Sequence, residues 1–299
     1  MDLWLPNTDP TAALYADGND LARMKVRGER ECQNCGARWS YYETGSVECP
    51  SCDSLRSVGV DSRTAHTDSP ATLDLTARHS WFGDASRTLP DHEVGELKST
   101  LREYLRKRGF IRGGELCRLD TTYLAARELL EAVDCYDRLR DPTDRDREYL
   151  LNLLADAPDG DRPDPAGIPG SLREARGMAA VRAVDEYRSD LLTFLDELAS
   201  SKPTDGDDEA ETKDVGGTDE TAFTVSVTGD DPIARIDPAR SVLETLRDRS
   251  KRIEALTGDV SPADADALTD AADALSEYIR TGDESALERA QELLSSETE

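Results

Sequence analysis

The sequence predicts a mainly α protein with a small β module near its N-terminus and a short C-terminal helical segment. Apolar residues repeat at helical spacing through most of the chain beyond residue 93. Four of the six cysteines fall within residues 32–52, among residues typical of strands and tight turns. An acidic stretch with few apolar residues, 201–236, then interrupts the helical pattern. We therefore expect a helical bundle or helical hairpins, with a further helical segment after a disordered linker.

Composition shifts divide the chain into six regions. They are a disordered N-terminal extension at 1–24, a cysteine module at 25–61, a connecting segment at 62–92, a helical domain at 93–200, an acidic disordered linker at 201–236 and a C-terminal helical segment at 237–299. The first and fifth regions are expected to be disordered because they carry many polar residues and too few apolar ones to form a core.

The helical domain contains four predicted helices. The first places Val94, Leu97, Leu101, Tyr104 and Leu105 on one stripe. Asp120 or Thr121 is expected to cap the second helix, and the third lies in the stretch DREYLLNLLADA. Ser171 is predicted to cap the long fourth helix, because Glu174 follows three residues later in the pattern of a capping box.

Three further helices are predicted in the C-terminal segment. Asp237 followed by a proline is a typical helix start, and so is Ser261 before Pro262. Gly282 is expected to end the second of these helices, and a short apolar stripe marks the last one.

The net charge of the chain is strongly negative. The 299 residues carry 63 acidic and 36 basic side chains, which gives a formal net charge of -27. An acidic chain poor in lysine resembles the cytoplasmic proteins of salt-accumulating halophiles, where molar salt reduces the screening length to roughly 3 Å. In that setting the net charge does not exclude a nucleic-acid partner. No run approaches the ~18 apolar residues of a membrane span, and no signal peptide is recognised, so we expect a cytoplasmic protein.

Two C-x-x-C pairs make the cysteine module a predicted metal site. Cys32, Cys35, Cys49 and Cys52 supply the four thiolates that a structural zinc ion takes, and they leave no open position for catalysis. Iron in a rubredoxin-like site and two disulfides are the alternatives. Between the pairs, ARWSYY is predicted as a strand that places Trp39 and Tyr41 on one face, and SLRSVGV is predicted as another strand.

These residues carry a resemblance to known families. The pattern C-x-x-C-G followed by C-P-x-C, with a strand and turn between, is similar to zinc ribbons of the transcription-factor-IIB type. Together with LREYLRKRGFIRGGELCRLDTTYLAARELLEAVD, the module resembles a family of uncharacterised haloarchaeal zinc-ribbon proteins with a helical remainder. The resemblance implies a structural Zn²⁺ on the same four cysteines.

No enzyme signature accompanies the metal site. The chain has no phosphate-binding loop, dinucleotide fingerprint or nucleophile elbow. Cys117 and Cys135 lack a C-x-x-C arrangement and are expected to be buried structural thiols. We therefore predict a protein without catalytic residues.

Two parts of the sequence depart from the acidic background. Residues 23–63 carry seven basic and six acidic side chains, and a predicted helix at 97–112 is rich in basic residues. Phosphates or a protein partner could meet these surfaces. The predicted contact residues are Arg38, Trp39, Tyr41, Arg56, Lys98, Arg102 and Arg106. The alternative is that the basic helix pairs with acidic helices of the same chain.

Three functions remain open from the sequence. The first is a binding module that uses the ribbon on nucleic acid or on transcription proteins. The second is an interaction scaffold whose helices bind protein partners while zinc only holds the ribbon folded. The third is an iron-containing redox protein.

Overall fold

The computed structural model describes residues 25–76, 91–200, 226–228 and 231–295, with the backbone alone at 91 and 92. Those residues confirm the predicted fold class, because most of them are helical and a small antiparallel β unit lies near the N-terminus. The predicted extension at 1–24 and most of the predicted linker, 201–225, lie outside the described residues.

Eight α-helices are described. They are α1 (Tyr41–Thr44), α2 (Asp91–Lys107), α3 (Thr121–Arg138), α4 (Asp144–Asp156), α5 (Arg173–Ser200), α6 (Ile236–Ala255), α7 (Pro262–Thr281) and α8 (Glu284–Ser295). None of these helices in the described ranges is both long enough and apolar enough to cross a membrane.

The long helix α5 lies at the centre of the helical body. It packs against α3, α6 and α7, and it is buried on several sides. Tyr187 and Phe194 are among its largest fully buried side chains, and Phe110 meets the Tyr187 ring edge to face with 4.7 Å between centroids. One continuous apolar core joins α2–α5 to α6–α8, so the C-terminal helices are part of the same folded body.

Most of the predicted capping residues lie at observed helix ends. The Asp120 carboxylate accepts a hydrogen bond from the Tyr123 backbone N–H at 2.9 Å, and the Ser261 hydroxyl accepts one from the Asp264 N–H at 3.1 Å. Gly282 ends α7 with a φ of 76°, a conformation that favours glycine. These contacts confirm the predicted starts of α3 and α7 and the predicted end of α7.

The predicted cap of α5 is wrong. Ser171 lies inside a 3-10 turn, Gly170–Leu172, that precedes the helix. Its hydroxyl donates to the Asp146 carboxylate of α4 and does not cap α5. The capping-box pattern failed because a tertiary acceptor was available to the serine, and sequence spacing alone does not reveal such an acceptor.

The predicted boundary between linker and C-terminal helices also moves. Helix α6 begins at Ile236 after a 3-10 turn, Pro232–Arg235, so Asp237 is not its cap. The buried Arg235 donates to the carbonyl oxygens of Ile279 at 3.0 Å and Thr228 at 2.6 Å. Residues 226–228 and 231–236 therefore belong to the folded body, although the sequence analysis places them in the linker.

The N-terminal β unit contains two small antiparallel sheets. In the first, β2 (Glu29–Cys32) lies between β3 (Arg38–Ser40) and β4 (Ser57–Gly59). In the second, β1 (Lys25–Arg27) pairs with β5 (Arg63–Ala65), which lies beyond the predicted boundary at residue 61. We call residues 25–65 the ribbon. A hairpin of β6 (Ile111–Arg112) and β7 (Glu115–Leu116) follows α2.

The ribbon is joined to the helical body through the segment that follows β5. The Thr67 N–H donates to the Ile111 carbonyl at 2.9 Å, and the Thr67 hydroxyl donates to Asp190 of α5 at 2.7 Å. Asp68 is buried and accepts from Arg112 at 2.6 Å. These bonds connect the end of the ribbon to the β6–β7 hairpin and to the centre of the body.

Candidate metal centre

The two C-x-x-C turns have matching backbone geometry. The Cys32 N–H donates to the Ala37 carbonyl at 2.9 Å, and the Cys49 N–H donates to the Ser54 carbonyl at 3.0 Å. Each turn then contains one residue with positive φ, which is Gly36 at 75° in the first and Asp53 at 54° in the second. The sequence predicts the first of these from the glycine. The second turn adopts the same conformation even though its residue is an aspartate.

The turns bring four sulfur atoms to one point. Their Sγ atoms all lie within 4.8 Å of one another, with 3.7 Å between Cys32 and Cys52 and 3.6 Å between Cys35 and Cys49. A tetrahedral zinc ion with Zn–S bonds of about 2.3 Å requires sulfur separations of about 3.8 Å. The separations are far too long for disulfide bonds. The donor set therefore fits a four-coordinate metal ion, and tetrahedral sulfur suits either zinc or iron.

Backbone amides favour the thiolate form of one ligand. The N–H groups of Cys35 and Asn34 point at the Cys32 sulfur and lower the pKa of that thiol to about 6. At Cys35 the Ala37 N–H acts in the same direction, but the neighbouring Cys52 and Cys49 sulfurs outweigh it and raise the pKa to about 12. Four crowded thiols cannot all ionise without a cation between them. A divalent ion bound between the four sulfurs would supply that charge.

Asn34 adds a further contact to the sulfurs. Its side-chain amide donates to the Cys52 Sγ at 3.7 Å, and its backbone N–H donates to the Cys32 Sγ at 3.4 Å. Outer donors of this kind orient metal ligands and tune their basicity.

Apart from the cysteines, the ribbon has almost no core. Its buried cluster contains Cys32, Trp39 and Cys49, with Ala37 and Cys52 partly buried beside it. The Trp39 indole N–H donates to the Ser46 carbonyl at 3.1 Å, and the side chain is 7% exposed. Trp39 is one of the predicted contact residues, but its ring packs inside the ribbon beside the cysteines, and a contact through Trp39 stays a prediction.

The predicted strand ARWSYY ends at Ser40, and Tyr41–Thr44 form the short helix α1. Tyr41 therefore does not share a strand face with Trp39. Its ring packs against His66 at 6.0 Å, and Tyr42 packs against the same histidine at 4.6 Å. The two tyrosines lie half-buried beside His66, and a contact with a partner through Tyr41 stays a prediction.

The predicted basic residues differ in their surroundings. Lys98 forms an ion pair with Asp134, which favours the alternative of pairing inside the chain. Arg38 pairs with Glu31 at 2.6 Å on the ribbon surface. Arg56, Arg102 and Arg106 are exposed, and none of them has an ion-pair partner among the described residues. The structure brings these residues to several places and not to one surface.

The other cysteines lie away from the metal centre. Burial raises the pKa of Cys135 to about 11 and also raises that of Cys117. Cys135 is buried and Cys117 half-buried, so neither is an activated thiolate.

The fold brings together a second group of cations, which are not among the predicted contact residues. Lys25, Arg27, Arg30 and Arg63 line a groove of about 340 Å³ between the two ribbon sheets. The sequence shows them only as scattered basic residues. The alternation K-V-R in β1 indicates a shared face, but the pairing with β5 requires the three-dimensional register.

A ribbon whose four cysteine sulfurs could hold a metal ion, joined to a helical body, defines a mainly helical protein with an N-terminal candidate metal-binding module. The chain belongs to the family of unknown function DUF7117, whose model matches residues 24–215 and 225–294. This match agrees with the predicted membership of an uncharacterised family that spans both ribbon and helices. Comparison with curated proteins and with solved structures finds no match.

Proposed function

We propose that the protein is a non-enzymatic binding protein whose ribbon is held by a structural Zn²⁺ and contacts nucleic acid. The observation that carries this proposal is the four-sulfur cluster in a unit with a buried core of only three residues. A unit with so little apolar core needs a metal to fold. Four thiolates around one ion leave no position for a substrate, which supports a structural and not a catalytic metal.

Charge supports nucleic acid as the partner. Within the described ribbon, 25–65, there are six basic and six acidic side chains, whereas the whole chain carries 36 against 63. A surface that meets phosphates is less acidic than its surroundings, because its cations neutralise phosphates and release the counterions condensed on the nucleic acid. The ribbon is thus one of two parts of the described chain that could meet a polyanion, and the other is the basic stretch at 97–112. The cytoplasmic location and the halophilic source remain predictions.

The test uses the full chain loaded with zinc and a labelled mixed-sequence nucleic acid, in the lowest salt that preserves the helical circular dichroism. We expect binding that disappears when a chelator strips the metal, because the ribbon loses its fold. Cys117→Ser is the matched control, since this cysteine lies outside the cluster and its loss should leave zinc content and binding unchanged. Absence of binding in every condition that preserves the fold contradicts the proposal.

A protein partner is the second candidate function. Large exposed apolar side chains concentrate on the ribbon, where Leu55 is 72% exposed and Val47 is 44% exposed. Exposed apolar side chains close together favour a protein interface, such as one with transcription proteins. The helical body presents fewer such residues, among them Leu256 at 51%, directly after α6. If a partner from the source cell is retained by the Leu55→Ser variant and lost with Leu256→Ser, the helical scaffold is favoured instead.

A further inference from the structure

The groove between the two ribbon sheets has an unusual arrangement of charges. Strand β1 pairs with β5 so that Arg27 lies directly opposite Arg63. Like charges directly opposite one another on an antiparallel pair are destabilising. Lys25 lies two residues before Arg27 and therefore on the same face. The sheet thus carries three cations on one face.

The neighbouring sheet brings a fourth cation to the same groove. Arg30 of β2 lies opposite Gly59 of β4. A Cβ added to Gly59 would lie 2.4 Å from the Arg27 Cβ, so the absence of a side chain lets the two sheets approach at this point. Glycine at residue 59 therefore brings the cations of the two sheets together.

Neutral oxygen atoms hold two of the arginines in place. Arg27 donates to the carbonyl oxygen of Asp61. Arg30 donates to the Ser57 hydroxyl at 2.9 Å and to the Ser57 carbonyl at 3.2 Å. These bonds fix the guanidinium groups without forming an ion pair among the described residues. Arginines of the helical body more often meet carboxylates, as Arg176 does with Glu128 at 2.6 Å.

Acidic groups near the groove neutralise only part of its charge. Glu197 of α5 lies 3.4 Å from Lys25. One carboxylate oxygen of Asp61 accepts from the N–H groups of Gly28 and Glu29, both at 3.0 Å. Arg63 is exposed and has no ion-pair partner among the described residues.

We infer that this groove binds the phosphate backbone of double-stranded nucleic acid, a conclusion that rests on the proposed function. Arginines held in place on neutral acceptors are suited to phosphates, because guanidinium donors match phosphate oxygens. Proteins that grip single strands add aromatic side chains on which bases stack. The groove has Val26 and Val58 beside its cations, and no aromatic residue is among the described residues that line it. Contacts limited to phosphates fix position on a duplex without reading its sequence.

The experiment measures binding of a short labelled duplex to the full zinc-loaded chain across a series of KCl concentrations. If four cations meet four phosphates, log Kobs against log salt should fall with a slope of roughly −3 to −4 on duplex DNA. Arg63→Gln should reduce the steepness of that slope by about one. This side chain is exposed, so zinc content and circular dichroism should be unchanged. Arg247→Gln is the control, because it removes an exposed arginine of α6 that lies outside the groove and should leave the slope unaltered.

The outcomes separate the inference from the proposed function. Binding that is tighter to duplex than to either of its single strands, with the loss confined to the Arg63→Gln variant, supports the groove. Duplex RNA bound in preference to duplex DNA also supports it, since the backbone chemistry is shared. Binding that favours single strands, or that ignores Arg63→Gln, overturns the groove while the proposed function stands. No binding of any nucleic acid overturns both.

Discussion

The ribbon and the helical body differ in what stabilises them. The body buries a continuous apolar core that runs from the segment after β5 to Leu294 of α8. The ribbon has a buried core of Cys32, Trp39 and Cys49, and two of those three residues are metal ligands in our account. Burial of apolar surface stabilises by roughly 25 cal/mol per Å², so the body can fold by burial and the ribbon cannot.

That contrast separates the roles of polar residues in the two regions. In the body, Glu128 is fully buried and accepts from the Tyr149 hydroxyl at 2.6 Å and from Arg176 at 2.6 Å. Such a network fixes how α3, α4 and α5 pack. In the ribbon groove, Arg27 and Arg30 donate their hydrogen bonds to neutral oxygens. Charged residues of the body organise the fold, whereas those of the ribbon groove contact a partner in our proposal.

The largest expected effect comes from removing one metal ligand. Cys49→Ser should abolish stoichiometric zinc binding, since structural zinc sites contribute about 10–16 kcal/mol in small zinc modules. Helical circular dichroism should be nearly unchanged because the helices have their own core. Metal analysis and circular dichroism of the same sample measure both quantities. Full zinc content in Cys49→Ser, with Cys135→Ser as the control, would contradict the assignment of the ligands.

A truncation in the apolar core should destabilise the helical body and leave the zinc site unaffected. Phe194 is 1% exposed in the centre of the body, and Phe194→Ala should lower its free energy of unfolding by about 3–5 kcal/mol. Zinc content of the folded protein should stay the same. Denaturant unfolding followed by circular dichroism measures the loss, and Leu256→Ala at an exposed position is the control, with an expected change within about 0.5 kcal/mol. An equal loss of unfolding free energy in both variants would contradict the assignment of the core.

A smaller effect concerns pH at the junction of the two regions. Burial lowers the pKa of His66 below its ordinary value of 6.5, while Asp68 opposes and Arg112 reinforces the shift. The unfolded chain therefore takes up a proton before the folded chain does as pH falls through 6.5, so the free energy of unfolding decreases on acidification and recovers as pH rises.

The His66→Gln variant isolates this contribution from proton-driven loss of metal. A glutamine can still accept from the Gly113 N–H, which lies 3.3 Å from His66 Nδ1, but it does not titrate. Denaturation of both proteins at several pH values from 5 to 8 should give a smaller pH dependence for the variant. An identical pH dependence of the two proteins would show that His66 does not contribute to it.

The smallest expected effect compares the two C-x-x-C turns. Asp53 has the left-handed conformation that Gly36 adopts in the other turn, and this conformation costs an L-residue about 1 kcal/mol. Asp53→Gly should raise the apparent zinc affinity by a few-fold at most, and Gly36→Asp should lower it by a similar factor. Competition with a chromophoric chelator measures both. Changes of the same sign in the two variants would show that the turns are not equivalent.

The sequence predicts the parts of this structure that depend on local rules. Spacing identified the cysteine cluster, helical periodicity identified the helices, and Asp120 and Ser261 marked helix starts because capping is a contact within one turn. Contacts between distant residues were not predictable. The Ser171 hydroxyl donates to Asp146 of another helix, so the start of α5 could not be derived from spacing. Strand β1 pairs with β5, which is distant in sequence, so the cation groove could not be derived from spacing either.

Trp39 shows the same limit of sequence-based prediction at the candidate metal centre. A tryptophan in a small β module is equally suited to recognition and to packing, and only its hydrogen bond to the Ser46 carbonyl and its burial distinguish the two. That Arg27 and Arg63 lie opposite each other follows only from the strand register and not from their spacing in the sequence.

Hydrogen exchange of the zinc-loaded chain, before and after removal of the metal by a chelator, tests the difference between the two regions most directly. We predict that backbone amides of the ribbon, such as that of Cys49 bonded to Ser54 at 3.0 Å, lose their protection when the metal is removed. Amides of α5 should keep theirs, because the apolar core of the body is untouched. Protection that survives in the ribbon without metal, or that is lost from α5 to the same degree, would contradict the account.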